Sequence, residues 1–315
     1  MANLSLRAQL KRIKEPGTKS TFSLRGDFFV LPSTGKLRDM MHAMYSPEPA
    51  QWTKADEGKF YNKDWTEECQ GVTHDDTHWY LSSNQAGKQR VYRFSLDNKV
   101  VSHVKLAGNG SGHLGDIDYY DGRIYCAMEQ PVKIVIIDAP PFNGWWTAGL
   151  KGESGGSPPQ GGSCPWCAIN PWNGLLYSST FGDDSPGENK LYAYRFDSVN
   201  NNFVHLPSAD IVLKERVRRI QGGVFSKNGH VLLASDHTND IRCYSILNGC
   251  YLGRAAIQKD SSTLVQEEVE GLTIWADISY KGVSTDVHVI LLDNDWPGKD
   301  DVYFKHYKVP LAKYL

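Results

Sequence analysis

Carboxylate and amide side chains recur next to the predicted β-strands of this chain. Where such strands surround one axis their side chains converge, and crowded carboxylates repel one another unless they are protonated or bridged by a cation. Oxygen atoms of this kind are the ligands that Ca²⁺ and Mg²⁺ prefer. The sequence therefore predicts a site for Ca²⁺ or another divalent cation. Its expected ligands are Glu270, Asp116, Gln70, Gln221 and Asp236.

Glu270 is the strongest candidate ligand, because a Glu directly before Gly271 at the start of an innermost strand points toward the axis. A bound cation would polarise a carbonyl or phosphoryl oxygen, while a nearby imidazole takes a proton from the attacking group. His113 and His237 are the predicted general bases. The alternative interpretation is that these polar side chains face water across a wide opening and bind nothing.

The elements that position these residues follow a repeated pattern. Five copies of one strand-turn-strand phrase recur at intervals of about 45 to 55 residues, the spacing of β-propeller blades. The first strand of each copy carries small residues, which suit strands crowded around a central axis. The copies begin at Gln70, Gly115, Cys167, Gly222 and Glu270.

Turn residues and later strands complete the copies. Asp121-Gly122, Asn173-Gly174 and Asn228-Gly229 supply the positive φ angles that tight hairpin connections require. Third strands with period-two alternation follow in most copies, and weaker fourth strands come after them. The predicted fold is all-β, a single β-propeller with five blades. A six-bladed ring, with residues 21–66 as a degenerate first blade, is the alternative.

The last copy lacks its fourth strand, and a segment near the N-terminus is expected to supply it. The predicted closing strand lies within residues 21–32, TFSLRGDFFVLP. Pairing strands from the two ends of the chain closes the ring and removes an exposed edge. Residues 1–20 are then an N-terminal extension, residues 21–315 are the propeller domain, and residues 34–66 form a long connection.

The phrase Glu270-Gly271-Leu272, together with the Asn/Asp-Gly hairpins, resembles calcium-bearing lactonase and esterase propellers of the gluconolactonase/senescence-marker-protein and paraoxonase types. The resemblance implies an axial metal ion that polarises an ester carbonyl. Only Glu270 matches a ligand motif of those families. The corresponding positions in other copies hold Gly115, Cys167 and Gly222, so a complete ligand set does not carry over.

Two functions are compatible with this pattern. The first is calcium-dependent hydrolysis of a small lactone or ester in an acidic funnel. The second is a noncatalytic, lectin-like module that holds a protein or glycan at its rim, where tryptophan rings stack on sugars. The tryptophans predicted to lie in loops are Trp145, Trp146, Trp166, Trp172 and Trp296.

Composition argues against other classes. The formal net charge is −2, and the one dense basic run, residues 214–219, is predicted to be a solvated loop, so no nucleic-acid partner is expected. No window approaches the roughly 18 consecutive apolar residues of a membrane span. Six cysteines without a secretory leader predict reduced thiols and a cytoplasmic location, unless an export leader was removed. Cys164 and Cys167 are expected to be packing residues.

Overall fold

The computed structural model describes residues 49–61, 63–85, 87–106, 112–139, 142–183, 187–259, 267–280, 282–293 and 298–310. In these ranges the chain forms twenty-one β-strands and one 3-10 turn at Pro207–Ala209, with no α-helix. No helix of the described part is long and apolar enough to cross a membrane. The all-β prediction is confirmed. The predicted domain boundary between residues 20 and 21 lies outside the described ranges.

Antiparallel meanders of consecutive strands build the sheets. The first strand of the described chain is β1 (Thr53–Phe60), which joins the last sheet. Sheet I contains β2 (Cys69–His74), β3 (Trp79–Ser83), β4 (Arg90–Phe94) and β5 (Val100–Lys105). Sheet II contains β6 (His113–Tyr120), β7 (Arg123–Glu129), β8 (Lys133–Asp138) and β9 (Trp145–Lys151).

The remaining strands repeat this meander. Sheet III contains β10 (Ala168–Ile169), β11 (Leu176–Ser178), β12 (Glu188–Asp197) and β13 (Asn202–His205), with β14 (Ile211–Val217) on β12. Sheet IV contains β15 (Ile220–Phe225), β16 (His230–Ser235), β17 (Asp240–Ser245) and β18 (Tyr251–Ala256). Sheet V contains β19 (Glu267–Tyr280), β20 (Val283–Asp293), β21 (Asp301–Lys308) and β1. β13 also pairs in parallel with β9, which joins sheets II and III into one hydrogen-bonded sheet.

The outer position of sheet V is taken by β1, which runs antiparallel to β21 with Gly58 opposite Phe304. A strand that precedes all the other described strands therefore does pair with the last strand, as predicted. That strand, β1, lies within residues 34–66, which were predicted to form a long connection. Residues 21–32, the predicted closing strand, lie outside the described ranges. Trp52, directly before β1, packs edge-on against Tyr307 of β21 at a centroid separation of 6.2 Å.

The first strands of the five sheets contact one another in a closed circle. β2 contacts β6, β6 contacts β10, β10 contacts β15, β15 contacts β19, and β19 contacts β2. Apolar side chains fill the space between neighbouring sheets in five separate clusters, one for each adjacent pair. The middle strands of each sheet therefore bury side chains on both faces, as the buried positions of β3, β7, β16 and β20 show.

Two local predictions were wrong. Trp145 and Trp146 are not in a loop but begin β9, the outer strand of sheet II. The basic run starting at Lys214 is not a solvated loop either, because residues up to Val217 belong to β14 and pair with β12. Both strands are half exposed, so their sequences lack the apolar character that marks the inner strands.

Candidate functional site at the acidic end of the axis

A buried carboxylate, Asp116, lies where the inner strands meet. Its Oδ1 accepts hydrogen bonds from the backbone N–H groups of Val72 at 3.1 Å and Ile117 at 2.8 Å. Its Oδ2 accepts from Gly223 at 3.3 Å and Leu272 at 3.4 Å. The donors come from β2, β6, β15 and β19, so one side chain holds four of the five inner strands together.

Glycines make this convergence possible. A Cβ atom on Gly271 would lie 2.6 Å from the Cα of Gly71 and 2.8 Å from Oδ1 of Asp116. A Cβ on Gly222 would lie 2.8 Å from the carbonyl oxygen of Glu270. Backbones at this level touch directly, which confirms the prediction that small residues line the innermost strands. The axis is closed here and is divided into two ends.

The environment of Asp116 does not suit a metal ligand. Each of the two carboxylate oxygens already accepts hydrogen bonds from two backbone N–H groups. The positive ends of these N–H groups face the place where a cation would have to bind. Burial raises the pKa of Asp116 well above its usual value, and the four N–H donors act in the opposite direction. The structure thus gives Asp116 a role in holding the ring, instead of the predicted role in metal binding.

Glu270 begins the innermost part of β19, on the side of Asp116 where the inner strands start. We call this side the acidic end. The Glu270 side chain is 2% exposed, and the amide of Gln221 donates to its Oε1 at 3.4 Å. Burial raises the pKa of Glu270 well above its usual value, and neighbouring Glu268, Asp236 and Glu68 raise it further. Glu270 therefore holds a proton at pH values where ordinary carboxyl groups are ionised.

Other carboxyl groups crowd the same end. The pKa of Glu68 is raised, first by burial and then by Asp300, Glu268 and Glu67. Gln70, the last predicted ligand, is 4% exposed within β2. These carboxyl groups lie close enough to raise one another's pKa, and protonation is one way in which their repulsion is relieved.

Asp236 connects two sheets. Its Oδ1 accepts the backbone N–H of Val269 at 3.0 Å, so the residue after β16 holds the start of β19. Arg219 lies 3.7 Å from its Oδ2, and Lys259 lies 3.8 Å from its Oδ1. A carboxylate with two cationic neighbours has no need of a divalent ion, so the structure does not give Asp236 the environment of a metal ligand.

The same connection recurs around the ring. Leu114 donates its N–H to Asn84 at 2.7 Å, and Cys164 donates to Glu129 at 2.6 Å. The N–H of Glu68 is bound by Asp300 at 2.8 Å. We call Asn84, Glu129, Asp236 and Asp300 the latch residues. Each of them ends or follows the second strand of its sheet, and each binds a backbone N–H at the start of the next inner strand or shortly before it. At the remaining junction, between sheets III and IV, the backbone carbonyl of Phe181 accepts the N–H of Ile220 at 2.9 Å.

The two predicted histidines differ in their surroundings. His113 is the first residue of β6 and lies opposite Glu129 of β7. Burial lowers the pKa of His113, with Glu129 acting against that effect, so its ring is neutral at pH 7. His237 is exposed after β16, and its Nε2 lies 3.3 Å from Arg218. His237 is thus a rim residue, while His113 stands at the start of an inner strand.

Two of the five predicted cation ligands, Asp116 and Asp236, are engaged by backbone N–H groups of the protein itself. Within the described ranges, no group of three or more His, Cys, Asp or Glu side chains is arranged to hold a metal ion. The cation site with Glu270, Gln70 and Gln221 as further ligands stays a prediction.

The cysteine pair behaves as a packing element. Cys164 and Cys167 are both fully buried and are not joined by a disulfide. Burial raises the pKa of Cys164 to about 12, so the thiol is protonated and poorly nucleophilic at pH 7. Trp166, between them, is also buried and donates to Ser179 at 2.8 Å, whereas Trp172 is 41% exposed. Trp296 lies outside the described ranges.

No family model matches the chain, and no curated protein matches it. Solved structures share its fold. The glutaminyl cyclase of Myxococcus xanthus is 15% identical, with a TM-score of 0.51 over 83% of this chain and 100% of that one. A tail fibre of Staphylococcus aureus phage P68 is 11% identical, with a TM-score of 0.50 over 89% of this chain and 57% of that one. These likenesses show the fold alone. The chain has a propeller-like, all-β fold.

Proposed function

We propose that the chain is a five-bladed β-propeller that hydrolyses a small ester or lactone at its acidic end, with Glu270 as the residue that transfers the proton. Sheets I to V are the blades, and β1 completes the last. The five-membered circle of inner strands supports this blade count over a six-bladed ring. The observation that carries the activity is the place of Glu270, a carboxyl group at the start of an innermost strand that is 2% exposed, and whose pKa is raised first by burial and then by neighbouring carboxyl groups.

The chemistry needs an acid and a base close together. In the proposed step, the oxygen of a water molecule bonds to the acyl carbon while the ester C–O bond breaks. The water proton passes to a neighbouring carboxyl group when that group is in its ionised form, Glu68 or Glu268, both of which act on Glu270 electrostatically. The proton of Glu270 passes to the leaving alkoxide oxygen. Carboxyl groups with unequal pKa values are suited to these two roles, because one starts protonated and the other ionised.

The test is hydrolysis of small lactones and p-nitrophenyl esters by the wild type and by Glu270→Gln. Gln keeps the shape of the side chain but carries no transferable proton, and general acid-base catalysis contributes about 10² to 10⁴ in rate. We expect kcat to fall about 100-fold. Glu153→Gln, a charge-matched change in an exposed loop, should leave kcat unaltered. Equal rates for wild type and Glu270→Gln would overturn the proposal.

A noncatalytic binding module is the second candidate. The latch residues favour it, since four of the polar groups at the acidic end have a structural use that needs no substrate. In this case the acidic end holds a protein or glycan without changing it. Glu270→Gln would then leave every substrate of the screen unhydrolysed, as would the wild type.

A further inference from the structure

A cavity of about 410 Å³ lies at the opposite end of the axis, where the inner strands finish. Its wall is formed by residues of all five inner strands and by residues directly after those strands. Because the backbones meet around Asp116, this cavity is separate from the acidic end and has its own chemistry. We call it the Asp118 cavity. The residues that line it include His74, Asp118, Ile169, Phe225 and Trp275.

One wall of the Asp118 cavity is flat and aromatic. His74 stacks on Trp275, with ring centroids 4.3 Å apart and an angle of 8° between the planes. The Nε2 of His74 lies 2.8 Å from the carbonyl oxygen of Ile274, and its Nδ1 lies 3.3 Å from Asp76. These contacts fix the imidazole. Phe225 adds a further aromatic surface, so the wall suits a ring or an aliphatic chain rather than a strongly hydrated ion.

Asp118 lines the same cavity, together with other polar side chains that include Asp76, Lys227 and Thr273. Its Oδ2 accepts the backbone N–H of Ile169 at 2.7 Å, which fixes the carboxyl group. Burial raises the pKa of Asp118 to about 7, with the N–H groups of Ile169 and Tyr119 acting against it. In the described part of the chain, no Lys, Arg or His side chain forms an ion pair with this carboxylate, and Lys227 acts instead on Asp76, whose pKa it helps to lower.

We propose that the Asp118 cavity binds a small organic amine, with its ammonium group on Asp118 and its apolar body against the His74–Trp275 wall. A half-buried carboxylate without an ion-pair partner is stabilised by any ligand that supplies a cation, and the charge-assisted hydrogen bond gives the ligand its orientation. A pocket of this volume, lined by both aromatic and polar side chains, has the form of a site for a small molecule. Alcohols or carboxylates of the same shape lack the positive charge and bind weakly.

Calorimetric titration with 2-phenylethylamine tests this proposal. The wild type should bind the amine, and 2-phenylethanol, its neutral counterpart, should bind at least tenfold more weakly. Asp118→Asn removes the charge but keeps an oxygen for the N–H of Ile169, so the variant should fold and lose at least tenfold in affinity for the amine. A thermal unfolding curve checks that the variant is folded.

The control for location is Glu270→Gln, which alters the acidic end only. Its affinity for 2-phenylethylamine should equal that of the wild type. Loss of binding in Glu270→Gln with retention in Asp118→Asn would assign the amine to the acidic end and overturn the proposal. Equal affinities in wild type and Asp118→Asn, or no binding to the wild type, would overturn it as well.

Discussion

The two ends of the axis are made by the same five strands, yet they differ in chemistry. At the acidic end several carboxyl groups crowd together, and much of their hydrogen bonding holds one sheet to the next. At the Asp118 cavity the two carboxyl groups, Asp118 and Asp76, stand among aromatic, aliphatic and hydroxyl side chains. The recurrence of acids at the acidic end has a structural cause, because the junctions between sheets recur with the repeat. Asp118 also binds the next inner strand, through the N–H of Ile169, but it does so from the wall of a cavity.

The largest expected effect lies between the ends, where the backbones meet. Gly271→Ala should lower the free energy of unfolding by about 3 kcal/mol, because its Cβ would lie 2.6 Å from the Cα of Gly71 and force the inner strands apart. Urea unfolding measures the change. Gly156→Ala, where a Cβ meets nothing within 4 Å, is the matched control and should change stability little. Similar losses in both variants would contradict the closed axis.

The latch residues should carry the next largest effect. Glu129→Ala leaves the N–H of Cys164 and the hydroxyl of Ser163 without their acceptor, at a cost of about 1 to 3 kcal/mol in unfolding free energy. Glu129→Gln keeps an acceptor oxygen and should lose less than half as much. Chemical denaturation of the two variants separates these cases. If both lose equally, the charge of Glu129 matters and the latch hydrogen bond does not.

The third effect is a pH dependence of stability that comes from Glu270 at the acidic end. Its folded pKa lies above its unfolded value, so the folded state binds the extra proton and ionisation favours unfolding. Stability should be highest below the unfolded pKa and should fall as pH rises toward the folded pKa, by about 1.4 kcal/mol for each unit of difference. Relative to Glu270→Gln, the wild type should therefore lose Tm as the pH rises above about 4.5, the usual pKa of a Glu carboxyl group. A constant difference across this range would contradict a raised pKa.

The smallest expected effect is that of calcium. If protons relieve the crowding at the acidic end, excess EDTA followed by Ca²⁺ should leave the Tm of the wild type unchanged. A native-state ligand at a hundred times its dissociation constant would add about 2.7 kcal/mol. A calcium-dependent rise in Tm that Glu270→Gln lacks would restore the cation site predicted from the sequence and displace the proton from its role.

Much of the ring of sheets could be predicted from the sequence, because its hairpin turns and close backbone contacts require particular residue types at particular positions. Gly122, Gly174 and Gly229 have positive φ angles of 78°, 68° and 85°, as their hairpin turns require. Gly71 and Gly271 stand where only hydrogen fits. Strands β9 and β14 were missed although buried and more exposed positions alternate along part of each, because the Trp145-Trp146 pair was read as a loop and the basic residues of β14 as a solvated segment.

The chemistry of the carboxyl groups was harder to predict, because a latch and a metal ligand need the same residue types at the same places. What separates Asp236 from Glu270 is the direction of each side chain and its neighbours, Arg219 in one case and Glu268 in the other. Asp300 was missed because the loop before β21 gives no pattern, although its carboxylate holds the N–H of Glu68. Asp118 was read only as part of a strand, since burial in a cavity leaves no mark on the sequence.

The pairing of β1 with β21 has a consequence for the order of folding. A ribosome makes β1 before every other described strand and β21 after them, so sheet V stays incomplete until synthesis of the domain is nearly over. Contacts between such distant segments require a large loop closure and slow the final step. A circular permutant that links the end of β21 to the start of β1 by a short linker, and opens the chain between β1 and β2, would make β1 and β21 neighbours in sequence. Sheet V would then fold as a local meander, and the ring would close at a different junction.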